Sequence, residues 1–120
     1  MGRSVLVVDD HAGFRRWARA FLEAEGYQVV GEAGDGATAV REAGRLRPEV
    51  MLLDVHLPDV DGFEVARRVG GGAGRPLIVL VSSRDPDDFG ARIRTSGVRG
   101  FLAKADLSGP ALEAIIDDPA

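Results

Sequence analysis

Short runs of aliphatic residues alternate along the chain with stretches whose apolar positions recur every three or four residues. Residues 4–8, Ser4-Val5-Leu6-Val7-Val8, read as a buried strand. Beyond them Phe14, Trp17, Ala18, Phe21 and Leu22 fall at i, i+3, i+4, i+7 and i+8, the apolar face of one helix. Phe14, Trp17 and Phe21 are expected in the core, with Arg15, Arg16, Arg19 and Glu23 on a solvated face. Gly26 ends that helix. Residues 28–32 read as a second strand, and residues 36–46 as a helix with Ala39, Val40, Ala43 and Leu46 inward, stopped by Pro48. Residues 50–53 are a third strand and residues 61–69 a short helix. The flexible stretch Gly70-Gly71-Gly72-Ala73-Gly74 follows, too short for a domain linker. Residues 77–81 are a fourth strand, apolar throughout. Residues 86–96 read as a weakly apolar helix anchored by Phe89 and Ile93, and residues 99–102 as a fifth strand. Ser108 caps a last helix, with Pro110 in its first turn and Leu112, Ile115 and Ile116 inward.

The order is (βα)5. Strands apolar throughout, separated by amphipathic helices, predict an α/β fold: a doubly wound parallel five-stranded sheet covered on both faces. The 120 residues make one domain, residues 1–120, with no internal repeat. In such sheets ligands bind beyond the carboxyl ends of the strands, where strand order reverses.

The polar residues that close the strands fall at that edge. The first strand runs into Asp9-Asp10, the third into Asp54, the fourth into Ser82 and the fifth into Lys104. Of 15 basic residues 14 are Arg, and Lys104 is the single lysine. Its ammonium is a compact charge on a flexible stem, suited to a phosphoryl oxygen or a carboxylate cluster. Three carboxylates at one edge stay ionised only if a cation offsets their repulsion. An all-oxygen set suits Mg²⁺. A carboxylate can also attack phosphorus, giving an aspartyl phosphate. Taken singly, each residue has a plainer reading: Asp9-Asp10 as helix caps, Asp54, Ser82, Asp59 and Asp61 as turn or helix-start residues, and Lys104 as a surface charge. Four such coincidences at one edge are a poor account. His11 and His56 beside the aspartates raise a transition-metal site as a minor alternative.

Composition removes other classes. No cysteine means no disulfide framework, zinc thiolate or thiol chemistry. A net charge of −4 argues against direct nucleic-acid binding. No apolar run approaches the roughly 18 residues of a membrane span, and the start does not read as a signal peptide. A cytoplasmic location is the expectation.

Val7-Val8-Asp9-Asp10-His11, Leu52-Leu53-Asp54-Val55-His56-Leu57-Pro58-Asp59-Val60-Asp61-Gly62, Ser82-Ser83 and Phe101-Leu102-Ala103-Lys104, in that order and spacing, resemble the receiver domain of bacterial two-component response regulators. Gly31-Glu32-Ala33-Gly34-Asp35-Gly36 and Lys104-Ala105-Asp106-Leu107 are similar to the subfamily whose receivers precede a LuxR/NarL-type helix-turn-helix domain. That output DNA-binding domain is not in this sequence, so the chain is either a trimmed piece or a stand-alone receiver. The resemblance implies a flavodoxin-like sheet of order 2-1-3-4-5. It implies that Asp54 accepts a phosphoryl group from a sensor histidine kinase. Asp10 would bind Mg²⁺ directly and Asp9 mainly through water, with the His56 backbone carbonyl as a further ligand. Ser82 would be the switch hydroxyl, Lys104 the phosphate-binding lysine and Phe101 the aromatic that reports the switch. His56 and Arg84, two residues past Asp54 and Ser82, would tune the phosphoryl lifetime, with shielding of the acyl phosphate favoured. Such receivers often pair, which raises a homodimer through the first and fifth helices or the fourth-helix face.

Ala105 stands where the family usually has proline after a cis bond. A cis bond before a non-proline costs about 2.5–4 kcal/mol, so a trans Lys104–Ala105 bond is expected. Two rivals remain. One is a receiver-like interaction module independent of phosphorylation. The other is a Mg²⁺-dependent phosphatase with an aspartyl nucleophile, disfavoured by adjacent Asp9-Asp10 and the lack of an insertion long enough for a cap domain.

Overall fold

A computed structural model describes residues 2–70, 76–84 and 89–117. The elements alternate without exception: β1 (Ser4–Val8), α1 (Ala12–Ala24), β2 (Gln28–Ala33), α2 (Gly36–Leu46), β3 (Val50–Asp54), α3 (Gly62–Val69), β4 (Leu77–Ser82), α4 (Ala91–Thr95), β5 (Gly100–Ala103) and α5 (Gly109–Ile116). A single 3₁₀ turn, Lys104–Asp106, joins β5 to α5. All paired strands are parallel, in the order β2-β1-β3-β4-β5. The expected doubly wound, flavodoxin-like sheet is the one observed.

Its two faces divide each strand by alternation, since successive side chains point to opposite sides. Leu6, Val8, Met51, Leu53, Ile78 and Leu80 face Ala39 and Ala43 of α2 and Phe63, Val65 and Ala66 of α3. Val5, Val7, Val50, Leu52, Val79 and Val81 face Ala18 and Leu22 of α1 and Leu112 and Ile116 of α5. Both faces are covered, which is why the strand sequences are apolar throughout rather than alternating. Three helices start on side-chain caps. Asp35 accepts from the Thr38 N–H (2.7 Å), Asp61 from Glu64 (2.9 Å) and Ser108 from Ala111 (3.2 Å).

Two helices differ from expectation. Trp17 is not a core residue: it is 48% exposed, with its ring stacked on Phe21 (centroids 5.1 Å, planes 3° apart). At about 100° per residue, Ala18 and Leu22 mark the centre of the buried stripe. Phe14 and Phe21 both lie to one side of that centre, at about 60° and 80°, and Trp17 lies beyond them at about 120°. The helix expected over 86–96 is described only as Ala91–Thr95. Residues 86–88 of that expectation lie outside the described residues, as do residues 71–74 of the glycine-rich stretch. Gly90 precedes α4 with φ +47°, a positive-φ conformation that suits glycine, and the helix starts after it. Phe89 and Ile93 do pack on the core.

Candidate functional site

The strand registers assemble the site. Val8 lies opposite Leu53, so Asp9 and Asp54 emerge side by side at the carboxyl edge, where strand order reverses. Asp54 pairs with Val81 and Ser82 with Ala103, which brings Ser82 and then Lys104 to the same edge. Asp9, Asp54 and Ser82 are all buried. Each accepts a hydrogen bond from the backbone N–H two residues later: Asp9 Oδ1 from His11 (2.8 Å), Asp54 Oδ1 from His56 (3.2 Å) and Ser82 Oγ from Arg84 (3.0 Å). These side-chain turns fix each oxygen as its strand ends. They also answer the plainer reading of Asp9, which does not sit at the N-cap of α1. His11 holds that position, without a side-chain cap bond.

Lys104 Nζ reaches back to the carboxylates, 2.6 Å from Asp9 Oδ2 and 3.4 Å from Asp54 Oδ2. Its ammonium also lies 4.3 Å from the centre of the Phe14 ring, so Phe14 borders the site as well as the core. Burial penalises ionised Asp9, but the Lys104 ammonium and the His11 N–H together hold its carboxyl below the usual range. Burial and the neighbouring Asp9 charge push Asp54 above it. Burial works against the charged Lys104, yet its bond to Asp9 and the two negative charges keep its pKa above the ordinary lysine value. Two buried carboxylates thus share one cation, and the half-exposed Asp10 adds a third negative group. Among the described residues, Asp9, Asp10, His11 and Asp54 are grouped with ligand atoms within 4.8 Å of one another. Three carboxylates against one ammonium are a donor set that fits a hard divalent cation such as Mg²⁺.

The other expected residues lie around this centre. Ser82 follows Val81, the register partner of Asp54, and its Oγ accepts from the Arg84 N–H. Phe101 is half-buried outside the acidic pocket, 5.3 Å from Phe89, which in turn lies 5.8 Å from Phe63 and 6.0 Å from the His56 ring. His56 and Arg84 are exposed. The Lys104–Ala105 bond is trans.

Two supports were not legible as such. Arg15 and Arg19 are not simply solvated. Arg15 Nη1 donates to the Asp9 backbone carbonyl (2.6 Å), and Arg15 and Arg19 grip Glu32 through their Nε atoms (3.2 and 2.9 Å). At about 40° from the centre of the buried stripe, Arg15 is close enough to the sheet to reach the end of β1. Asp59 is more than a turn residue. Its carboxylate accepts from the Gly36 N–H (2.7 Å) and the Ala37 N–H (3.0 Å), tying the loop after Asp54 to the start of α2. Gly36 permits the approach, because a Cβ there would collide with Val60 Cγ2.

The response regulator receiver domain model matches residues 5–116. The chain is 35% identical over 118 residues to the transcriptional regulatory protein PdtaR of Mycobacterium tuberculosis, covering 95% of this chain and 57% of that protein. It is 34% identical over 112 residues to the transcriptional regulatory protein LiaR of Bacillus subtilis, covering 92% and 53%. A LuxR-family two-component response regulator from Aurantimonas sp. superimposes with a TM-score of 0.87 at 29% identity, over 98% of this chain and 86% of that one. The response regulator domain of Thermotoga maritima CheB gives 0.83 at 26%, over 98% and 95%. Parallel order 2-1-3-4-5, an acidic edge with one lysine and these matches together place the chain in the response regulator receiver domain family. The chain spans about half the length of the curated relatives it matches.

Proposed function

We propose that this receiver is a phosphoacceptor switch in which Asp54 takes a phosphoryl group from a sensor histidine kinase. The observation that carries the reading is the convergence of the Asp54 and Asp9 carboxylates on the single Lys104 ammonium at the reversal point of the sheet. An Asp54 carboxylate oxygen attacks phosphorus, and the bond from phosphorus to the donor breaks as the new P–O bond forms. Asp54 is suited to that attack because folding withdraws it from water while leaving it only weakly paired, at 3.4 Å from Lys104. Lys104 turns to the incoming phosphoryl oxygens, and the Ser82 hydroxyl exchanges its Arg84 contact for one of them. Asp10, Asp54 and the His56 carbonyl, with Asp9 mainly through water, would hold Mg²⁺, which when bound would supply charge neutralisation for the transfer.

Drawing in Ser82 shifts the loop after β4. Phe101 packs on Phe89 beside that loop, so the surface of α4, β5 and α5 is the readout. By analogy with its relatives, the readout controls a DNA-binding output domain in a transcription regulator, with a homodimer through α1 and α5 or through the α4 face as its assembled form. His56 and Arg84, exposed at the rim, would shield the acyl phosphate from water. The kinase partner and the switch chemistry belong to a cytoplasmic signalling protein that is not itself an enzyme.

The test is intact-mass spectrometry after incubation with Mg²⁺ and acetyl phosphate, beside Asp54→Asn. One phosphoryl group on the wild type and none on the variant is the expected result. A folded wild type that gains no mass would replace this reading with a phosphorylation-independent interaction module.

A further inference from the structure

Lys104 has a further neighbour at the acidic edge, and it carries no charge. Besides its contacts with Asp9 at 2.6 Å and Asp54 at 3.4 Å, the Lys104 Nζ lies over the Phe14 ring, 4.3 Å from its centre. β4 and β3 stand between β5 and β1 in the sheet, so the lysine stem extends across the edge to reach Asp9. The side chain is left 20% exposed. A flexible stem held in one such position gives up rotamer freedom, which its contacts must offset.

The ring is itself fixed. Phe14 lies in the first turn of α1, and the next residue, Arg15, ties that turn to the end of β1 through the Asp9 carbonyl. The exposed Trp17 backs the Phe14 ring at 5.8 Å and stacks in turn on Phe21. An aromatic face attracts an ammonium through its quadrupole, more strongly where water is excluded. Unlike a further carboxylate, it adds no negative charge to a pocket that already holds three carboxylates. We infer that Phe14 is a positioning residue for Lys104: its ring holds the ammonium at the carboxyl edge, within reach of Asp54 and of a phosphoryl group there. The effect on phosphoryl transfer rests on the phosphoacceptor reading, whereas the hold on the ammonium does not. A leucine in place of Phe14 would fill the core but offer the ammonium no electron-rich face, and the stem would swing toward solvent.

Lys104 is the single lysine, so protein labelled in lysine alone gives side-chain NMR signals from this residue only. The experiment records the Lys104 Cε methylene signal in the chelator-treated full chain. Wild type is compared with Phe14→Leu, Phe14→Met, Phe14→Tyr and Phe21→Leu, each checked by a thermal melt. The methionine variant is a second non-aromatic side chain, adaptable enough to guard against a packing loss peculiar to leucine. Phosphorylation of the same proteins by acetyl phosphate at fixed Mg²⁺ is timed by intact mass. A methylene beside an aromatic face resonates upfield of a free lysine. That shift is expected in the wild type, Phe14→Tyr and Phe21→Leu, and is expected to vanish in Phe14→Leu and Phe14→Met. Phosphorylation is expected to slow about threefold to tenfold in the two non-aromatic variants and to stay within about twofold in the others.

A wild-type signal at the free-lysine position overturns the inference, as does an upfield signal that persists in Phe14→Leu and Phe14→Met. If the wild type is phosphorylated, an equal rate in those two variants overturns it as well. A wild type that takes up no phosphoryl group, yet shows the upfield signal and loses it with the ring, overturns the phosphoacceptor reading alone. One that takes up the group with a lysine signal indifferent to Phe14 overturns only the positioning role.

Discussion

Folding moves the Asp54 carboxylate out of water, to 3% exposure, and sets it beside a second buried negative charge. Its raised pKa expresses that cost, with burial as the larger cause and Asp9 the next. A carboxyl whose folded pKa lies above its unfolded one gives stability back as pH falls through the folded value, and withholds it at neutral pH. Asp54→Asn removes the charge and nearly preserves the shape. In the absence of divalent ions it is expected to stabilise the protein by roughly 1 kcal/mol at pH 7 in urea melts. Millimolar Mg²⁺ should narrow the difference by stabilising the wild type more. A destabilised variant would mean that Asp54 is better satisfied by Lys104 than its 3.4 Å contact indicates. At this scale the sequence was readable where a residue's type and its place at a strand end agree, as for Asp9, Asp54 and Lys104. Asp59 escaped because its partners Gly36 and Ala37 lie more than 20 positions away, with no periodicity to link them.

Elements were legible where both period and capping chemistry were strong. Asp35, Asp61 and Ser108 each accept from the N–H three residues on, and the helices they open fall close to the spans expected. Among the described residues of the α4 region the helix is shorter than expected, because its apolar signal rests on Phe89 and Ile93 and Gly90 lies between them with a positive φ. On α1 the apolar pattern was wider than the buried stripe, so it could not show that Trp17 falls outside while Arg15 reaches in. That reach has a measurable consequence. Glu32 of β2 is held below the usual carboxylate range first by its hydrogen bond from Arg19, against some burial, with Arg15 adding to the pull. A lowered folded pKa gives stability that is complete above the ordinary value of 4.5 and is lost as pH falls through the folded one. Thermal melts between pH 6 and about pH 3 should therefore show a shallower acid loss for Glu32→Gln than for the wild type. The pair is partly solvated, so the neutral-pH cost of the substitution should stay below about 1 kcal/mol. Parallel acid limbs in the two proteins would show that the Arg15–Glu32–Arg19 link contributes nothing.

At the scale of the whole molecule, the alternation of runs was enough to give the architecture, because parallel strands covered on both faces leave few arrangements. What the pattern could not supply was register, and register is what brings Asp9, Asp54, Ser82 and Lys104 to one edge. The sheet is built from non-local pairings, β1 lying between β2 and β3 and β5 closing one side. A chain ending at residue 99 would keep four strands but lack β5, Lys104 and α5, exposing Val79, Val81 and the α1 side of the sheet. Such a chain is expected to show no cooperative thermal transition, with native-like melting as the contrary result.

The bond from Lys104 to Asp9 joins residues 95 positions apart. A ribosome therefore delivers all three aspartates of the pocket long before the one residue that balances them. Through most of synthesis the carboxylates have no ammonium to draw them together, and they remain hydrated and apart. The reactive centre closes only when the final strand has emerged and docked. Assembly of the acidic edge thus coincides with completion of the fold.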